Sequence, residues 1–409
     1  MKILLLHNYY QQSGGEDAVV AQEKELLESK GHTVELLAAD NRSIRGFRGS
    51  VKAALDTTYS CKAKVRVKHE LNSFRPDLVH VHNFCPLLSP SVYYACREAE
   101  TPVVQTLHNF RLICANALLF REGKPCELCL GKAVPWPAVM HACYRGSHAG
   151  SAVLASMLSV HRALGTWDSS VDVYIAMTNF SREKLVSGGL PAHHIFVKPN
   201  FVFPDPGNDR RANGFALFVG RIAPEKGIAT LVSAWNQIGR RYKLKIVGNG
   251  PSSPQLLKLP SHVDIEILGA QNQQTVLNLM QSASFLVLPS ECYECFPRVI
   301  VEAFAKGLPV VASRLGSMVE LVDHGRTGLL FPPGNPQALA EAVEWMFTHP
   351  VQVEQMSRAA RDEFEAKYTA DRNYQRLMEI YQYASEGSRL QRAPVLHATG
   401  IHQNNPITN

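Results

Sequence analysis

The chain has 409 residues, which is too many for one ordinary hydrophobic core, so two or three domains are expected. Hydrophobic residues make up 45% and charged residues 19%, as in soluble enzymes, and the net charge of +6 is too modest to indicate a nucleic-acid partner. No apolar run approaches the length of a membrane span, and nine cysteines without a secretory signal indicate reduced thiols in the cytoplasm.

Short apolar strands alternate with helices in the first 200 residues. Such alternation predicts a parallel sheet that is covered by helices. The strands are predicted at residues 2–7, 33–38, 77–82, 102–108 and 171–176, and the first helix at 17–30.

The basic excess of the chain lies in this first half, where 22 Lys and Arg oppose 17 Asp and Glu in residues 1–200. Lys62, Lys64, Arg66 and Lys68 form one basic run. The run has two interpretations: a patch that faces anionic lipid or a phosphate-bearing acceptor, and the solvated face of a helix.

A linker rich in Pro, Gly, Asp and Asn is predicted at residues 201–214, and a second alternating series follows it. The pattern predicts an α/β protein with two doubly wound domains that face each other across a cleft. From about residue 387 the chain is polar and irregular, which predicts a disordered tail. The second series comprises strands at 215–219, 244–247, 264–268, 285–288, 310–312 and 328–331, and helices at 228–238, 274–282, 335–348, 351–367 and 371–385.

Two carboxylates in the second half, Glu294 and Glu302, are separated by seven residues between two apolar strands. Pro297 suits the first position of a helix, so Glu294 is predicted in a loop after a strand and Glu302 in the second helical turn. Ligands of open α/β sheets bind at the carboxyl ends of strands, and a helix N-terminus there attracts phosphate. The alternative is a surface helix with ordinary exposed glutamates.

Two cations follow the first strand of the second half, in the segment GRIAPEKG. Arg221 and Lys226 are placed to neutralise a diphosphate at that strand end, or they are surface residues of a loop. In the first half, Gly14 and Gly15 follow the first strand, where glycine permits close approach of a ligand, although many tight loops also use it.

Three histidines lie near strand ends of the first half. His108 ends an apolar strand at the predicted cleft edge, with a substrate-positioning or a structural role. His80 and His82 share one strand face, and core or cleft packing explains them better than a metal, because further ligands are not evident.

These segments resemble the large retaining glycosyltransferase family of the GT-B fold, family 4 type (glycosyl transferases group 1). The paired glutamates are its signature, and residues 246–251 and 267–271 are similar to two further loops of the family. The resemblance implies two Rossmann-like domains at 1–200 and 201–370, with the acceptor side in the first and the nucleotide-sugar site in the second. It also implies that a helix at 371–386 returns to the first domain, before a disordered tail at 387–409.

The resemblance further implies a role for each matching residue. Glu294 would contact hydroxyls of the donor sugar and Glu302 the ribose of the nucleotide. His108 would lie close to the anomeric centre, and Asn200 would shape the donor pocket at the domain junction. The diphosphate would be bound by Gly220, Arg221, Lys226, the amides of Arg298 and Val299, and, from the opposite domain, Gly14 and Gly15. Cys295 and Pro297 replace glycines of the common pattern, and Pro297 removes one amide donor.

The implied reaction moves a sugar from a nucleoside diphosphate donor to a carbohydrate or lipid-linked acceptor, with retention, in polysaccharide or glycolipid biosynthesis. No cofactor is expected, and the absence of an Asp-x-Asp motif argues against an obligatory divalent metal. Attachment to the inner face of a membrane is expected from the family and from the basic first half. Two alternatives stay open: a nucleotide-sugar 2-epimerase of the same architecture and a non-catalytic nucleotide-binding protein.

Four cysteines cluster in the first half: Cys114, Cys126, Cys129 and Cys143. Cys126 and Cys129 have the spacing of zinc ligands, so a structural zinc ion held by four thiolates is one interpretation. Buried free thiols that pack as small hydrophobic groups are the other.

Overall fold

A computed structural model of the protein describes residues 1–11, 14–209, 211–256 and 260–392. Within these residues the strands are β1 Lys2–Tyr9, β2 Thr33–Asp40, β3 Leu78–Val81, β4 Val103–Thr106, β5 Phe120–Arg121, β6 Lys124–Pro125, β7 Val173–Ala176, β8 Ile195–Val197, β9 Phe215–Val219, β10 Lys243–Val247, β11 Ile265–Gly269, β12 Phe285–Leu288, β13 Val310–Ser313 and β14 Gly328–Phe331.

The helices are α1 Gly15–Ser29, α2 Gly46–Thr58, α3 Cys61–Phe74, α4 Ser91–Glu98, α5 Trp136–Met140, α6 His148–Ala163, α7 Thr166–Ser169, α8 Asn179–Ser187, α9 Ile228–Ile238, α10 Ser253–Leu256, α11 Gln273–Ser282, α12 Arg298–Ala305, α13 Ser317–Leu321, α14 Pro336–Thr348, α15 Pro350–Lys367 and α16 Ala370–Arg392. Among the described residues, every helix is too short or too polar to cross a lipid bilayer.

Two six-stranded sheets organise the chain. Their strand orders are β2-β1-β3-β4-β7-β8 and β11-β10-β9-β12-β13-β14, and neighbouring strands in both are parallel. In each sheet the first strand in the chain, β1 or β9, is an interior strand, and later strands are added on both sides of it, which is the doubly wound arrangement. The predicted α/β architecture is therefore confirmed. The short strand β8 was not predicted, because three residues are too few to show a period.

Strand β1 shows why the first sheet is buried on both faces. Ile3 and Leu5 lie in a buried cluster with helix α16, whereas Leu4 and Leu6 lie in the larger cluster on the opposite face. Successive side chains of a strand point to opposite faces, so an unbroken apolar run belongs to a central strand of a parallel sheet.

The last helix returns to the first sheet, where Leu377, Ile380 and Tyr381 are buried against β1, β3, β4 and β7. The helix continues to Arg392 and does not end at residue 385. Residues 387–392, which the sequence assigned to a disordered tail, are thus helical, since a single glycine costs a helix only about 1 kcal/mol. The rest of the predicted tail, 393–409, lies outside the described residues.

The carboxyl ends of the two sheets face each other. Thr178, directly beyond β7, places its hydroxyl 2.8 Å from that of Ser317, which follows β13 of the second sheet. In addition, Glu320 of α13 accepts hydrogen bonds from the first two amides of α8 at 3.1 Å each, where a helix has free N–H groups. We propose that the sheets mark two domains, 1–200 and 201–370, with residues 371–386 attached to the first.

Candidate active site at the facing sheet edges

Three loops of the second sheet interlock through close backbone contacts. Gly227 has a φ of +68°, and a Cβ at this position would lie 1.9 Å from the Pro289 carbonyl oxygen. A Cβ on Gly250 would lie 2.2 Å from the Ile222 oxygen. Glycine is therefore required for the loops after β9, β10 and β12 to pack together. Gly220 belongs to this frame, since its amide donates to the Val247 carbonyl at 3.0 Å.

The interlocked loops bring Lys226 to Glu294. The Lys226 ammonium lies 2.5 Å from Glu294 Oε1, and the Ser290 hydroxyl donates to the same oxygen at 2.8 Å. Burial alone would lower the pKa of Lys226, but Glu294, with smaller contributions from Cys292 and Glu225, outweighs burial and the pKa is raised. The ammonium is therefore charged and held in one position. Among the described residues both partners of Glu294 bond Oε1, which leaves Oε2 to accept from a ligand.

Arg221 lies on the exposed side of the same loop. Its side chain is 50% exposed, and its guanidinium donates to Glu225, whose side chain is only 8% exposed. One nitrogen of the fork is thus anchored to a buried carboxylate while other N–H groups face the solvent. The two predicted cations lie at the same strand end.

Helix α12 carries Glu302 and connects the two halves. Arg298 NH2 lies 3.2 Å from Glu302 Oε1 and donates to Gln22 of α1 at 3.0 Å. Burial raises the pKa of Glu302, and the nearby Arg298 only partly opposes that effect. The helix begins at Arg298, so Pro297 is the capping residue before it and not its first residue as predicted. The amides of Arg298 and Val299 occupy the first helical positions, which have no intrahelical acceptor.

No described atom crowds the glycine pair of the first half. Neither Gly14 nor Gly15 has a positive φ, and an added Cβ would meet no atom within 4 Å. The fold of the described residues thus does not require glycine here. The Gly14 amide donates to Asp17 Oδ2 at 3.2 Å, and Asp17 Oδ1 lies 2.8 Å from the buried His7 ring. Asp17 therefore stabilises the loop at the start of α1.

His108 lies two residues beyond the end of β4, at the edge of the first sheet. Its Nε2 lies 3.0 Å from Nδ1 of His82, and the two rings are stacked with an interplanar angle of 20°. Burial, followed by the neighbouring His82, lowers the pKa of His108 well below its usual value. Burial likewise lowers the pKa of His82 to about 3. Both imidazoles are neutral at pH 7.

Behind this pair lies an ionic cluster that the sequence analysis missed. Glu23 Oε1 is 3.1 Å from His80 and 3.3 Å from His82, and Glu23 Oε2 is 3.1 Å from the Lys198 ammonium. Burial would raise the pKa of Glu23, but Lys198 and the two histidines outweigh it and hold the pKa well below 4.5. The sequence held one signal for this cluster: Glu23 is a charged residue on the face of α1 that otherwise carries apolar residues such as Val19 and Leu26.

The same cluster is the one place among the described residues where three metal-ligating atoms, those of Glu23, His80 and His82, lie within 4.8 Å of one another. The Lys198 ammonium already neutralises the carboxylate at 3.1 Å, and Lys198 is 2% exposed. A cation beside Glu23 would repel a metal ion, so we interpret the cluster as an ion-pair network.

Asn200 lies in the loop after β8 and is 5% exposed. Its side-chain amide lies 3.1 Å from the Met177 sulfur. The side chain is packed at the junction of the two halves, and its predicted contact with a donor stays a prediction.

The four clustered cysteines lie in one neighbourhood but not in ligand geometry. Burial, then the nearby thiols of Cys114, Cys143 and Cys126, raise the pKa of Cys129 to about 11. No three of these four sulfur atoms lie within 4.8 Å of one another, however, and tetrahedral zinc–thiolate bonds of about 2.3 Å need closer sulfurs. The zinc site stays a prediction.

The architecture defines the class of protein. HepE of Anabaena in complex with UDP is 18% identical with a TM-score of 0.65, over 93% of this chain and 100% of that chain. Sucrose-phosphate synthase from Thermosynechococcus elongatus is 19% identical with a TM-score of 0.71, over 93% and 98%. The chain thus has the GT-B fold.

The sequence comparisons identify the family. Residues 13–205 match the family model Glycosyltransferase Family 4, and residues 214–349 match Glycosyl transferases group 1. An uncharacterized glycosyltransferase of Methanocaldococcus jannaschii is 26% identical over 328 residues, which is 76% of each chain. The chain belongs to the GT-B glycosyltransferases, enzymes of glycan biosynthesis that generally need no cofactor.

Proposed function

We propose that the protein moves a hexose from a nucleoside diphosphate sugar to a carbohydrate or lipid-linked acceptor, with retention of the anomeric configuration. The observation that carries the proposal is the charged Lys226 beside Glu294, with Arg221 at the same strand end. A donor with a diphosphate and a sugar needs cations for one part and a carboxylate acceptor for the other. HepE, which shares the fold, has been solved with UDP-glucose, and this supports a nucleotide-sugar donor.

The diphosphate lies, in this proposal, between Arg221, Lys226 and the amides of Arg298 and Val299. Arg221 presents solvent-facing N–H groups, and helix α12 adds two free amides and the positive end of its dipole. These groups stabilise negative charge that grows as the leaving group departs, which is electrostatic catalysis. Gly14 and Gly15 approach the phosphates from the first domain, where the open space around both glycines suits close contact.

The sugar and ribose contacts follow from the two glutamates. Glu294 Oε1 is bonded to Lys226 and Ser290, so Oε2 accepts from sugar hydroxyls. Glu302 accepts from the ribose, with Arg298 holding its carboxylate from the side. His108 lies near the anomeric carbon and positions the sugar as a neutral imidazole, which adds no positive charge beside an oxocarbenium-like centre.

The transfer proceeds on one face of the sugar. The bond between the anomeric carbon and the phosphate oxygen breaks as the acceptor oxygen bonds to the same face, and a phosphate oxygen of the leaving group takes the acceptor proton. This route needs no covalent enzyme nucleophile. Closure of the two domains excludes water from the site.

A 2-epimerase is the less favoured alternative, because it would need dedicated acid and base residues and would act without an acceptor. Incubation of the protein with a donor alone separates the two, since an epimerase inverts the sugar and a transferase does not. NMR of the anomeric proton in a transferred product tests retention directly.

The experiment that tests donor binding is a thermal-shift screen against common nucleotide sugars, followed by calorimetry on Glu302→Ala. We expect at least one nucleoside diphosphate sugar to raise Tm, and Glu302→Ala to weaken its affinity by about tenfold, equivalent to one lost hydrogen bond to a charged group. The matched control is Glu344→Ala, an exposed carboxylate of α14 in the same domain. Unchanged affinity in Glu302→Ala would refute the ribose contact.

A further inference from the structure

Two arginines of the segment between β4 and α6 lie against the ring of one tyrosine. The guanidinium carbons of Arg111 and Arg145 are 5.5 Å and 5.3 Å from the centre of the Tyr144 ring. The Tyr144 amide donates to the Ser151 hydroxyl of α6 at 2.9 Å, which fixes the tyrosine to the first turn of that helix. The ring attracts cations but does not neutralise them, so two positive charges are held close together here.

Neither guanidinium has an anionic partner among the described residues. The half-buried Arg111 donates to the carbonyl of Ala115, which is a neutral acceptor. The exposed Arg145 forms no side-chain hydrogen bond and no ion pair with any described residue. Two like charges at close range repel each other, and a bound anion would relieve that repulsion.

The acidic residues of the same segment are bound to other cations. Residues 107–150 contain five Lys and Arg but only Glu122 and Glu127 as acids. Glu122 pairs with Arg121, and Glu127 pairs with Lys184, at 2.6 Å each. This segment, all of which is described, therefore supplies no carboxylate for the arginines at Tyr144.

Glu16, at the start of α1, does not neutralise Arg111. It forms no ion pair with Arg111, and burial raises its pKa to about 8, so its carboxyl group keeps a proton at pH 7. Glu16 Oε2 accepts from the Tyr10 hydroxyl at 3.0 Å, whereas Oε1 is buried without a partner among the described residues. The proton therefore belongs on Oε1, where it is available to an oxygen atom of a ligand.

These groups adjoin the place where His108 is proposed to meet the donor sugar. Asn109 directly follows His108, and its Oδ1 accepts from the Arg111 amide at 2.9 Å. The Asn109 side-chain amide donates to the Tyr10 hydroxyl at 3.1 Å. The arginines thus lie on a loop beside the edge of the first sheet and not on the strand ends themselves.

Cys85, in the loop after β3, is close to all three ionisable groups. Burial raises the pKa of its thiol, and then Arg111 lowers it, Glu16 raises it and Arg145 lowers it, in that order of size. All three side chains are therefore near enough to one buried sulfur atom to act on its charge. Two cations and one neutral acid surround a common region.

The backbone of Arg145 indicates that its side chain matters. Arg145 has a φ of +54°, a left-handed conformation that favours glycine and asparagine and is unfavourable for other L residues. Helix α6 begins three residues later, and the positive end of a helix dipole also disfavours a cation. An arginine at this position is explained by an anion that its guanidinium binds.

We propose that Arg111 and Arg145 bind an oxyanion, a phosphoryl or carboxylate group, that the sugar acceptor carries. The planar fork of a guanidinium group matches both kinds of anion with two parallel hydrogen bonds. The assignment to the acceptor rests on the proposed function, in which the first domain takes the acceptor, whereas anion binding itself does not. A neutral acceptor would leave both cations uncompensated.

A thermal-shift titration with inorganic pyrophosphate tests the anion site. The starting protein is Arg221→Ala with Lys226→Ala, because those two cations are proposed to bind a diphosphate as well. We expect pyrophosphate to raise the Tm of this protein. The further changes Arg111→Gln and Arg145→Gln should weaken its binding by about tenfold or more, because two charged hydrogen-bond donors are lost.

The matched control adds Lys124→Gln and Lys132→Gln instead, which remove two exposed cations of the same segment. Its affinity for pyrophosphate should equal that of the starting protein. Arg145→Gln alone keeps the Arg111 hydrogen bond and should still weaken binding several-fold. No rise in Tm with pyrophosphate, or equal affinity in the arginine variants and the lysine control, would overturn the proposal.

Glucose 1-phosphate and glucuronate, titrated against the same proteins, distinguish a phosphoryl group from a carboxylate. The ligand whose affinity falls with Arg111→Gln and Arg145→Gln, and not in the lysine control, identifies the anion. Unchanged affinity for both ligands would overturn the proposal.

Transfer assays test the assignment to the acceptor. In the enzyme with Arg221 and Lys226 intact, Arg145→Gln should raise KM about tenfold for an acceptor that carries the identified anion. The KM values for the donor and for a neutral acceptor should not change, and an equal rise for a neutral acceptor would overturn the assignment. Failure of every nucleotide sugar to bind, with pyrophosphate still bound at the arginines, would refute the proposed function and leave the anion site.

Discussion

The two sheet edges that face each other are built in opposite ways. The edge of the second sheet presents paired ions, Arg221 with Glu225 four residues further along the chain and Lys226 with Glu294 on a different loop. The edge of the first sheet presents neutral groups, His108 and the open Gly14 and Gly15, and keeps its charges behind them. The difference suggests that one edge binds the anionic leaving group while the other supplies close packing and uncharged contacts.

The largest effect is expected at the cysteines of the first half. If the four thiolates hold one zinc ion per chain, Cys126→Ser loses it and lowers Tm, whereas free thiols, which the separation of the sulfur atoms favours, give a zinc-free protein. Structural zinc supplies on the order of 10 kcal/mol to small zinc-finger peptides, so its loss would be evident in calorimetry. Metal analysis by mass spectrometry measures the content.

The control for this experiment is Cys61→Ser, which removes an exposed thiol of α3. Zinc-free wild-type protein with an unchanged Tm in Cys126→Ser would establish buried free thiols. The first half would then be stabilised by packing and ion pairs alone, which would sharpen its contrast with the second half.

Substitutions of the buried ions behind His108 should have the next largest effect on the stability of the protein. Glu23→Gln leaves the Lys198 ammonium, 2% exposed, without its anion, and Lys198→Met leaves the Glu23 carboxylate without its cation. Each single change should destabilise the protein by about 3–5 kcal/mol, whereas the double variant should recover much of that loss. Calorimetric Tm values of the four proteins measure the coupling. If the double variant loses as much as both single variants added together, the pair is not coupled.

In the second half, Arg221→Ala with Lys226→Ala should lower turnover by well over tenfold, on the order of 100-fold, because we propose that both cations stabilise the leaving diphosphate. Initial rates with the donor identified by thermal shift measure it. The matched control is Arg241→Ala with Lys243→Ala, whose side chains pair with exposed carboxylates elsewhere in this domain. Near-normal activity of the first variant would remove the diphosphate assignment and with it the functional contrast between the edges.

The smallest expected effect is on the pH dependence of stability, and it comes from Glu16, next to the glycine pair. Burial, and to a lesser degree Asp17, raises its pKa to about 8. The folded protein therefore holds a proton that the unfolded chain releases above about pH 4.5, so stability falls as pH rises from about 4.5 to 8, by at most about 1.4 kcal/mol per pH unit. The buried histidines have lowered pKa values and act in the opposite direction, but only below about pH 6.5.

Glu16→Gln isolates this contribution. Between pH 7 and 8 the Tm of the wild type should fall more steeply than that of Glu16→Gln, whereas Glu25→Gln, an exposed carboxylate on the same helix, should follow the wild type. Identical profiles for all three proteins would show that the first edge carries a charged Glu16 and is less neutral than its structure indicates.

The sequence by itself determined the two-domain α/β fold, most strand positions and the ionic edge of the second sheet. Strands β9, β12 and β14 were predicted to the residue. Short apolar runs bounded by Gly and Pro encode such elements locally. Arg221, Lys226 and Glu294 lie in segments whose spacing along the chain already implies their place after strand ends, and Glu302 in the helix that follows.

Which residues meet at the edge of the first sheet was decided only by the tertiary structure. Glu23, His82 and Lys198 are far apart in sequence and meet because α1 carries the first, while the other two directly follow β3 and β8. Helix α16 completes the cluster from the other end of the chain, since Tyr381 OH lies 2.7 Å from His80. The exposure of Phe47 and Leu55 on α2 was equally hidden, because a helical period shows that a face is apolar but not whether another element covers it.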